Sequence, residues 1–233
     1  MNIKDAKILV TGGSLGIGKA TAKLLVDKGA RVAVTGRDRA RIEAAAKEIG
    51  AHPITADVAK PDDVTRTYDE FLGTFDGLDC LINNAGIGVF KTLEEVEYKD
   101  FENIFSVNVF GAALMAARAL PIFKKQGKGN IVNIGSTAAE KGFERGTIYA
   151  ASKFALRGMT QCWQAELRRH NIRTFLIDPS EVATAFANSD RIERKASANK
   201  LTSNEIAHAI VSVLEMDDRG MIPELSVWAT NPW

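Results

Sequence analysis

The chain has 233 residues, and its 30 Lys and Arg against 29 Asp and Glu leave a formal net charge of +1, which argues against a general electrostatic grip on nucleic acid or an anionic membrane. Apolar residues at 45% and charged residues at 25% suit one large soluble domain over 1–233 and exclude wholesale disorder. The two cysteines, Cys80 and Cys162, exclude a disulfide scaffold or a Cys-rich zinc module, and no metal is expected.

Short β-branched runs alternate with helical patterns along the chain. Lys7–Val10 (KILV) reads as a buried strand, followed by a Gly-rich turn and a helix over 16–28 that Gly29 stops. A second strand is expected at 31–35, and an Ala-rich helix at Arg39–Ile49 closed by Gly50. A brief third strand at 54–56 precedes a helix over 62–72, with Pro61 suited to its first turn. A fourth strand at 78–82 leads into a long helix over 99–125, which Pro121 should bend or end. Strands at 130–134 and 172–177 flank a helix over 149–169, and a last helix at Ser203–Glu215 precedes a seventh strand beginning at 220–222. Such alternation implies right-handed βαβ units: a doubly wound, Rossmann-type α/β domain with a parallel sheet of about seven strands and helices on both faces. In such sheets ligands bind beyond the carboxyl ends of the strands. No apolar run is long enough, uninterrupted, to span a bilayer, and the N-terminus lacks a signal-peptide pattern, so a cytoplasmic protein is expected.

The first strand runs into Thr11-Gly12-Gly13-Ser14-Leu15-Gly16-Ile17-Gly18. Glycine lets backbone N–H groups approach a pyrophosphate at a helix N-terminus, so Gly12, Ser14, Leu15, Gly16, Ile17 and Gly18 are candidate cofactor contacts. The spacing differs from the commoner Gly-x-Gly-x-x-Gly. After the second strand, where NAD sites carry an acid, this chain has Gly36 and then Arg37. Arg37 offers a charged fork for a 2′-phosphate, although it would also serve as a solvated loop charge. NADP(H) is therefore preferred; Asp38 keeps NAD(H) open, but its natural role is to cap the Arg39–Ile49 helix. Asp57, beside Val58, suits either the adenine amino group or a turn. Asn83-Asn84-Ala85-Gly86 after the fourth strand can tie strand ends together and leave room for the cofactor, or form a plain turn.

Tyr149 and Lys153 lie four apart on one helix face. A phenol near pKa ~10 exchanges protons poorly at neutral pH unless a neighbouring cation lowers it. Ser136 follows the fifth strand and can bond a substrate carbonyl, or cap a helix. Asn108 sits inside the long helix, where Asn is mildly unfavourable without a specific task. Taken in order and spacing, the phosphate loop, Asn83–Gly86, Asn108, Ser136, Tyr149-Ala150-Ala151-Ser152-Lys153 and Asp178-Pro179 resemble the short-chain dehydrogenase/reductase family over essentially the whole chain. The resemblance implies carbonyl–alcohol interconversion with a tetrad of Asn108, Ser136, Tyr149 and Lys153. Tyr149 would be the general acid or base, and Ser136 would orient the substrate oxygen. Lys153 would hold the nicotinamide ribose and depress the Tyr149 pKa, and Asn108 would hold a water in a proton relay. It also implies cofactor contacts at Asn84, Ala85, Gly86, Pro179, Val182 and Thr184. A non-catalytic dinucleotide-binding regulator is the alternative.

The chain departs from the family pattern at Ser180, where Gly is usual, at Leu15, where NADP-preferring members often have Arg, and at Gly135, where a second Ser is common. The substrate loop, about 185–202, carries Arg191, Arg194, Lys195 and Lys200, suited to a solvated lid or to an anionic substrate. His52, His170 and His208 are dispersed, and Cys162, Trp228 and Trp233 read as packing residues, the tryptophans alternatively as a subunit contact. The helices over 99–125 and 149–169 carry apolar and small residues beyond what one side can cover, including Phe101, Phe105, Phe154 and Trp163. A homo-oligomer is expected, a tetramer in preference to a dimer. Its tail would include Pro232.

Overall fold

Seven parallel strands form one sheet in the computed structural model, which describes residues 1–186, 192, 194–195 and 199–231. Arg191, Pro232 and Trp233 lie outside the described residues. The strands are β1 (Lys7–Val10), β2 (Arg31–Gly36), β3 (His52–Thr55), β4 (Cys80–Asn83), β5 (Gly129–Ile134), β6 (Ile172–Pro179) and β7 (Glu224–Val227). Their spatial order is β3-β2-β1-β4-β5-β6-β7, every neighbouring pair parallel. The helices are α1 (Gly16–Asp27), α2 (Arg39–Ile49), α3 (Pro61–Phe75), α4 (Tyr98–Phe105), α5 (Ala112–Gln126), α6 (Thr147–Leu167) and α7 (Ser203–Glu215). This is the doubly wound α/β architecture the alternation predicts.

Period-two alternation splits the core into two layers. Ile8, Val10, Val32, Val34, Ile82, Val132 and Phe175 pack with α1, α2 and α7 on one face. Leu9, Ala33, Leu81 and Ile131 pack with α3 and α5 on the other. Because both faces are covered, the central strands read as unbroken apolar runs.

Four expectations need correction. Pro121 does not end its helix: α5 runs through it to Gln126 with Pro121 on the exposed side. The interruption comes earlier, as a π-helical turn over Ser106–Gly111 between α4 and α5. The third strand begins at His52 and passes through Pro53, which an edge strand tolerates because one side needs no ladder N–H. The seventh strand is Glu224–Val227; the 217–220 segment before it is a turn closed by the Gly220 N–H on the Asp217 carbonyl. The stretch Tyr98–Gln126 is long and apolar enough by length and composition to cross a membrane, yet charges such as Arg118 interrupt it and half of its most apolar window is buried within this fold.

Candidate active site

The chain builds outward from β1 through β2 to β3, then returns to lay β4 on the other side of β1. The crevice at that reversal is where an open α/β sheet receives a ligand. Its two rims are stapled together. Thr11 Oγ1 accepts the N–H groups of Asn84 and Ala85, each at 3.0 Å, and Asn84 Nδ2 donates to the Thr11 carbonyl at 2.9 Å and the Gly12 carbonyl at 3.0 Å. Gly18 is required by this staple: a Cβ there would lie 2.4 Å from both Asn84 Nδ2 and the Gly12 carbonyl oxygen.

A cavity of about 1310 Å³ opens over these loops. Every candidate cofactor residue except Gly18, which lies in the staple, borders it: Gly12, Ser14, Leu15, Gly16, Ile17, Arg37, Asp57, Val58, Asn84, Ala85, Gly86, Tyr149, Lys153, Pro179, Val182 and Thr184. A dinucleotide fits this end on the structure's own terms. The N-cap of α1 is Leu15, whose side chain cannot accept from the first-turn N–H groups, so the amide-rich start of the helix faces the cavity. Thr184 overhangs the loop, its Cγ2 3.4 Å from where a Gly16 Cβ would be.

The ribose-selecting corner is basic. Arg37 is exposed on the cavity rim, joined by Arg41, which the sequence reading missed because it lies inside a helix. Asp38 is the N-cap of α2: its Oδ1 accepts the Arg41 N–H at 2.9 Å, as its expected capping role requires, and Oδ2 lies 3.8 Å from the Arg41 guanidinium. Asp57 is engaged in a turn, with Oδ1 accepting the Ala59 N–H at 3.0 Å.

At the other end of the cavity the structure brings Ser136, Tyr149 and Lys153 together. Ser136 ends the β5 loop and caps a short 3₁₀ turn over Thr137–Ala139, its Oγ accepting the Ala138 N–H at 3.1 Å. The same side chain lies near enough to the Tyr149 phenol to lower its pKa. Tyr149 and Lys153 stand one turn apart at the start of α6, and Lys153 Nζ donates to the Ile134 carbonyl at 2.8 Å. Asn108 is not in a regular helix but in the π-helical turn. Its side chain accepts the Ile87 N–H at 2.9 Å and donates to the Ile87 carbonyl at 3.0 Å and to Ser152 Oγ at 3.1 Å. Ser152 in turn donates to the Tyr149 carbonyl at 2.7 Å. The Asn108 amide therefore locks the 84–87 loop to α6, while Oδ1, an acceptor of two bonds, takes one of these.

The titration pattern departs from the expectation that Lys153 depresses Tyr149. Burial pushes the Tyr149 phenol up to about 12, against the lowering effect of Ser136 and with the Asp178 charge adding to the rise. Burial pushes Lys153 down to about 8, with Asp178 opposing. Asp178, named from the sequence only as part of a motif, is fully buried beneath the site and pushed up to about 6, chiefly by desolvation. Its Oδ1 accepts the Ser136 N–H at 2.8 Å. That carboxylate explains Gly135: a Cβ there would lie 1.9 Å from Asp178 Oδ1.

Several peripheral expectations also change. Trp228 does not pack within the chain; it is 62% exposed on the cavity rim. Cys162 is exposed rather than packed. Arg194 and Lys200 of the substrate loop are engaged locally: Arg194 donates to the Thr184 and Val182 carbonyls and to Glu181, and Lys200 pairs with Glu181 at 2.6 Å.

The chain matches the family model of short chain dehydrogenases over residues 6–195. It is 35% identical over 214 residues to carbonyl reductase family member 4 of Xenopus laevis, covering 88% of this chain and 89% of the relative. Among solved structures it resembles an alcohol dehydrogenase from the archaeon Thermococcus sibiricus complexed with 5-hydroxy-NADP, with a TM-score of 0.89 at 27% identity and 96% of each chain covered. It also resembles a 3-ketoacyl-(acyl-carrier-protein) reductase from Brucella melitensis complexed with NADH, with a TM-score of 0.90 at 28% identity over 99% of this chain and 100% of that one. The crevice at the strand reversal, the matched family model and these relatives together show that the chain belongs to the short-chain dehydrogenase family and is an oxidoreductase of it.

Proposed function

We propose that this oxidoreductase interconverts a carbonyl compound and its alcohol, using NADP(H) in preference to NAD(H). The observation that carries the reading is the meeting of the Ser136 hydroxyl, the Tyr149 hydroxyl and the buried Lys153 on one wall of a cavity whose other end is a helix N-terminus flanked by Arg37. When bound, the dinucleotide supplies the hydride. Arg37, backed by Arg41, takes the 2′-phosphate, and the occupation of Asp38 by the α2 cap favours NADP(H) over NAD(H). The first turn of α1 takes the pyrophosphate, and Lys153 holds the nicotinamide ribose. Ser136 orients the substrate oxygen, and Tyr149 Oη gives it a proton in reduction or removes one in oxidation. Asn108 is a positioning residue that fixes the start of α6 through Ser152.

The exposed Phe110 and Phe154 support the homo-oligomer expected from the sequence, with a tetramer preferred, since single large apolar side chains on two neighbouring helices suit a shared interface. The reading includes a cytoplasmic setting and no nucleic-acid or membrane partner. Loss of NADPH absorbance with a panel of ketones and aldehydes tests the function, and the same assay with NADH tests the preference. Binding of the dinucleotide without turnover of any carbonyl would favour the regulator.

A further inference from the structure

The acceptor side of the cavity is walled by aromatic rings. Phe90 and Phe186 flank the ring of Tyr149, with centroids 5.3 Å and 5.6 Å away, and Phe143 lies 6.0 Å from Phe90. Trp228 stands on the same rim. These rings are not spent on one another: Phe90 is 37%, Phe143 49% and Trp228 62% exposed.

The wall is built rather than incidental. A Cβ at Gly88 would lie 2.7 Å from the Phe186 ring and 3.0 Å from that of Phe90, and a Cβ at Gly146 would lie 2.7 Å from the Phe143 ring. Two glycines thus clear the space three phenyl rings occupy. The loops carrying Phe90 and Phe143 are bolted together: the Lys91 N–H donates to the Arg145 carbonyl at 3.1 Å, and the Arg145 guanidinium donates to the Phe90 carbonyl at 3.2 Å. Arg145 adopts a left-handed backbone, φ 62°, to make this joint. Among the described residues of the substrate loop, Arg194 and Lys200 are both engaged on Glu181, while Lys195 is exposed. Lys141 remains at the exposed rim.

We propose that the substrate is an aryl-bearing ketone or aldehyde whose ring lies against Phe90, Phe143 and Trp228 while its oxygen meets Ser136 and Tyr149. The proposal rests on the carbonyl-reductase reading given above. Reduction adds the hydride supplied by NADPH to the carbonyl carbon and a proton from Tyr149 to the oxygen, leaving NADP⁺ and the alcohol. A ring–ring contact adds a factor of about 2–12 in affinity beyond area burial alone, so two or three contacts separate an aryl substrate from an alkyl one.

The test compares benzylacetone, decan-2-one of equal carbon count, and anionic levulinate. Decan-2-one is the more hydrophobic ketone, so a preference for benzylacetone reports ring recognition rather than greasiness. We expect kcat/KM for benzylacetone to exceed that for either other ketone at least tenfold. Phe143→Leu and Trp228→Leu, both at exposed rings, should lower the benzylacetone-to-decanone ratio at least fivefold. Equal or better turnover of decan-2-one or levulinate, or a ratio unmoved in both variants, overturns the proposal. Calorimetric titration of the protein with benzylacetone separates the two levels of inference. If no carbonyl consumes NADPH yet benzylacetone binds and Phe143→Leu weakens that binding, the reaction reading fails and the aryl site stands. If benzylacetone neither reacts nor binds, both fall.

Discussion

Strand β6 carries a buried charge at each end, and the two are treated in opposite ways. Near its start, Arg173 donates to the Asn130 side chain at 2.9 Å and to the carbonyls of Leu214, Met216 and Gly220 at 3.1–3.2 Å, and pairs with Asp218 at 3.2 Å. These carbonyls lie at and just beyond the C-terminus of α7, where a cation also meets the favourable end of the helix dipole. Near the end of the same strand, Asp178 has one oxygen on the Ser136 N–H, while Oδ2 has no hydrogen-bond partner among the described residues. Around it, Lys153 is pushed down to about 8 and Tyr149 up to about 12. The charge at the amino end is satisfied and structural, although the neighbouring Thr174 hydroxyl has no partner among the described residues. The carboxyl end keeps buried charge under-satisfied, which is where reactive groups with displaced pKa values are expected.

The largest effect should come from removing one atom at the reactive end. Tyr149→Phe should lower kcat by about 10²–10⁴, the range of one acid–base group. The melting temperature should hold, because Ser136 Oγ keeps its bond from the Ala138 N–H. Steady-state assays with thermal unfolding check this, and near-normal turnover would remove Tyr149 from proton transfer. Arg173→Met should do the reverse. It removes the donor to the Gly220 carbonyl and to the buried Asn130 acceptor, with a loss of about 3 kcal/mol in urea unfolding. The melting temperature should fall by roughly 6–12 °C, with kcat of the folded fraction retained. A matching fall in kcat would mean the two ends are not separate.

A smaller change is expected at the cofactor rim. Arg37→Ala should raise the KM for NADPH roughly 10- to 100-fold, the scale of one charged hydrogen bond, and that for NADH far less. Equal changes for both cofactors would mean that Arg37 does not meet the 2′-phosphate. Gly36→Asp is a poorer probe of the same selectivity, since its Cβ would lie 3.2 Å from Ile42 Cβ and disturb the packing of α2.

Periodicity and turn chemistry made the sheet, the helix order and the two core layers legible in the sequence, because apolar runs and glycine stops are local signals. The candidate cofactor rim could be named from the sequence for the same reason: Gly12–Gly18 stands just beyond β1 and Gly36-Arg37 at the end of β2. What stayed hidden depends on contacts between distant segments. The π-helical turn at Asn108 reads locally as ordinary helix. The aromatic wall joins residues 90, 143, 186 and 228, which no window contains together. Asp178 looked like part of a strand-end motif, and only its fit against Gly135 reveals a buried carboxylate. The expected depression of the Tyr149 pKa took account of Lys153 but not of burial, which raises it.

Asp178 allows the contrast between the two ends to be measured within one variant. Its folded pKa, about 6, lies above the ordinary 3.8, so its ionised form weakens the fold. The sign follows from proton linkage: the folded state holds the proton more tightly, so the penalty is absent below about pH 4, grows as pH rises, and is complete above about pH 6. Arg157 limits the rise, while Glu140 and Glu224 add to it. Asp178→Asn keeps an oxygen for the Ser136 N–H but cannot ionise. Its stability relative to wild type should therefore climb by about 1–3 kcal/mol between pH 4 and pH 6.5. Urea unfolding of both proteins at the two pH values measures this, with common titrations cancelling in the difference. Parallel pH dependences would mean that Asp178 is solvated like a surface acid and that the carboxyl end of β6 is no less satisfied than the amino end. Arg173→Met serves as the control, since its deficit is set mainly by hydrogen bonds to carbonyls that do not titrate and should change less across that window than the Asp178→Asn difference does.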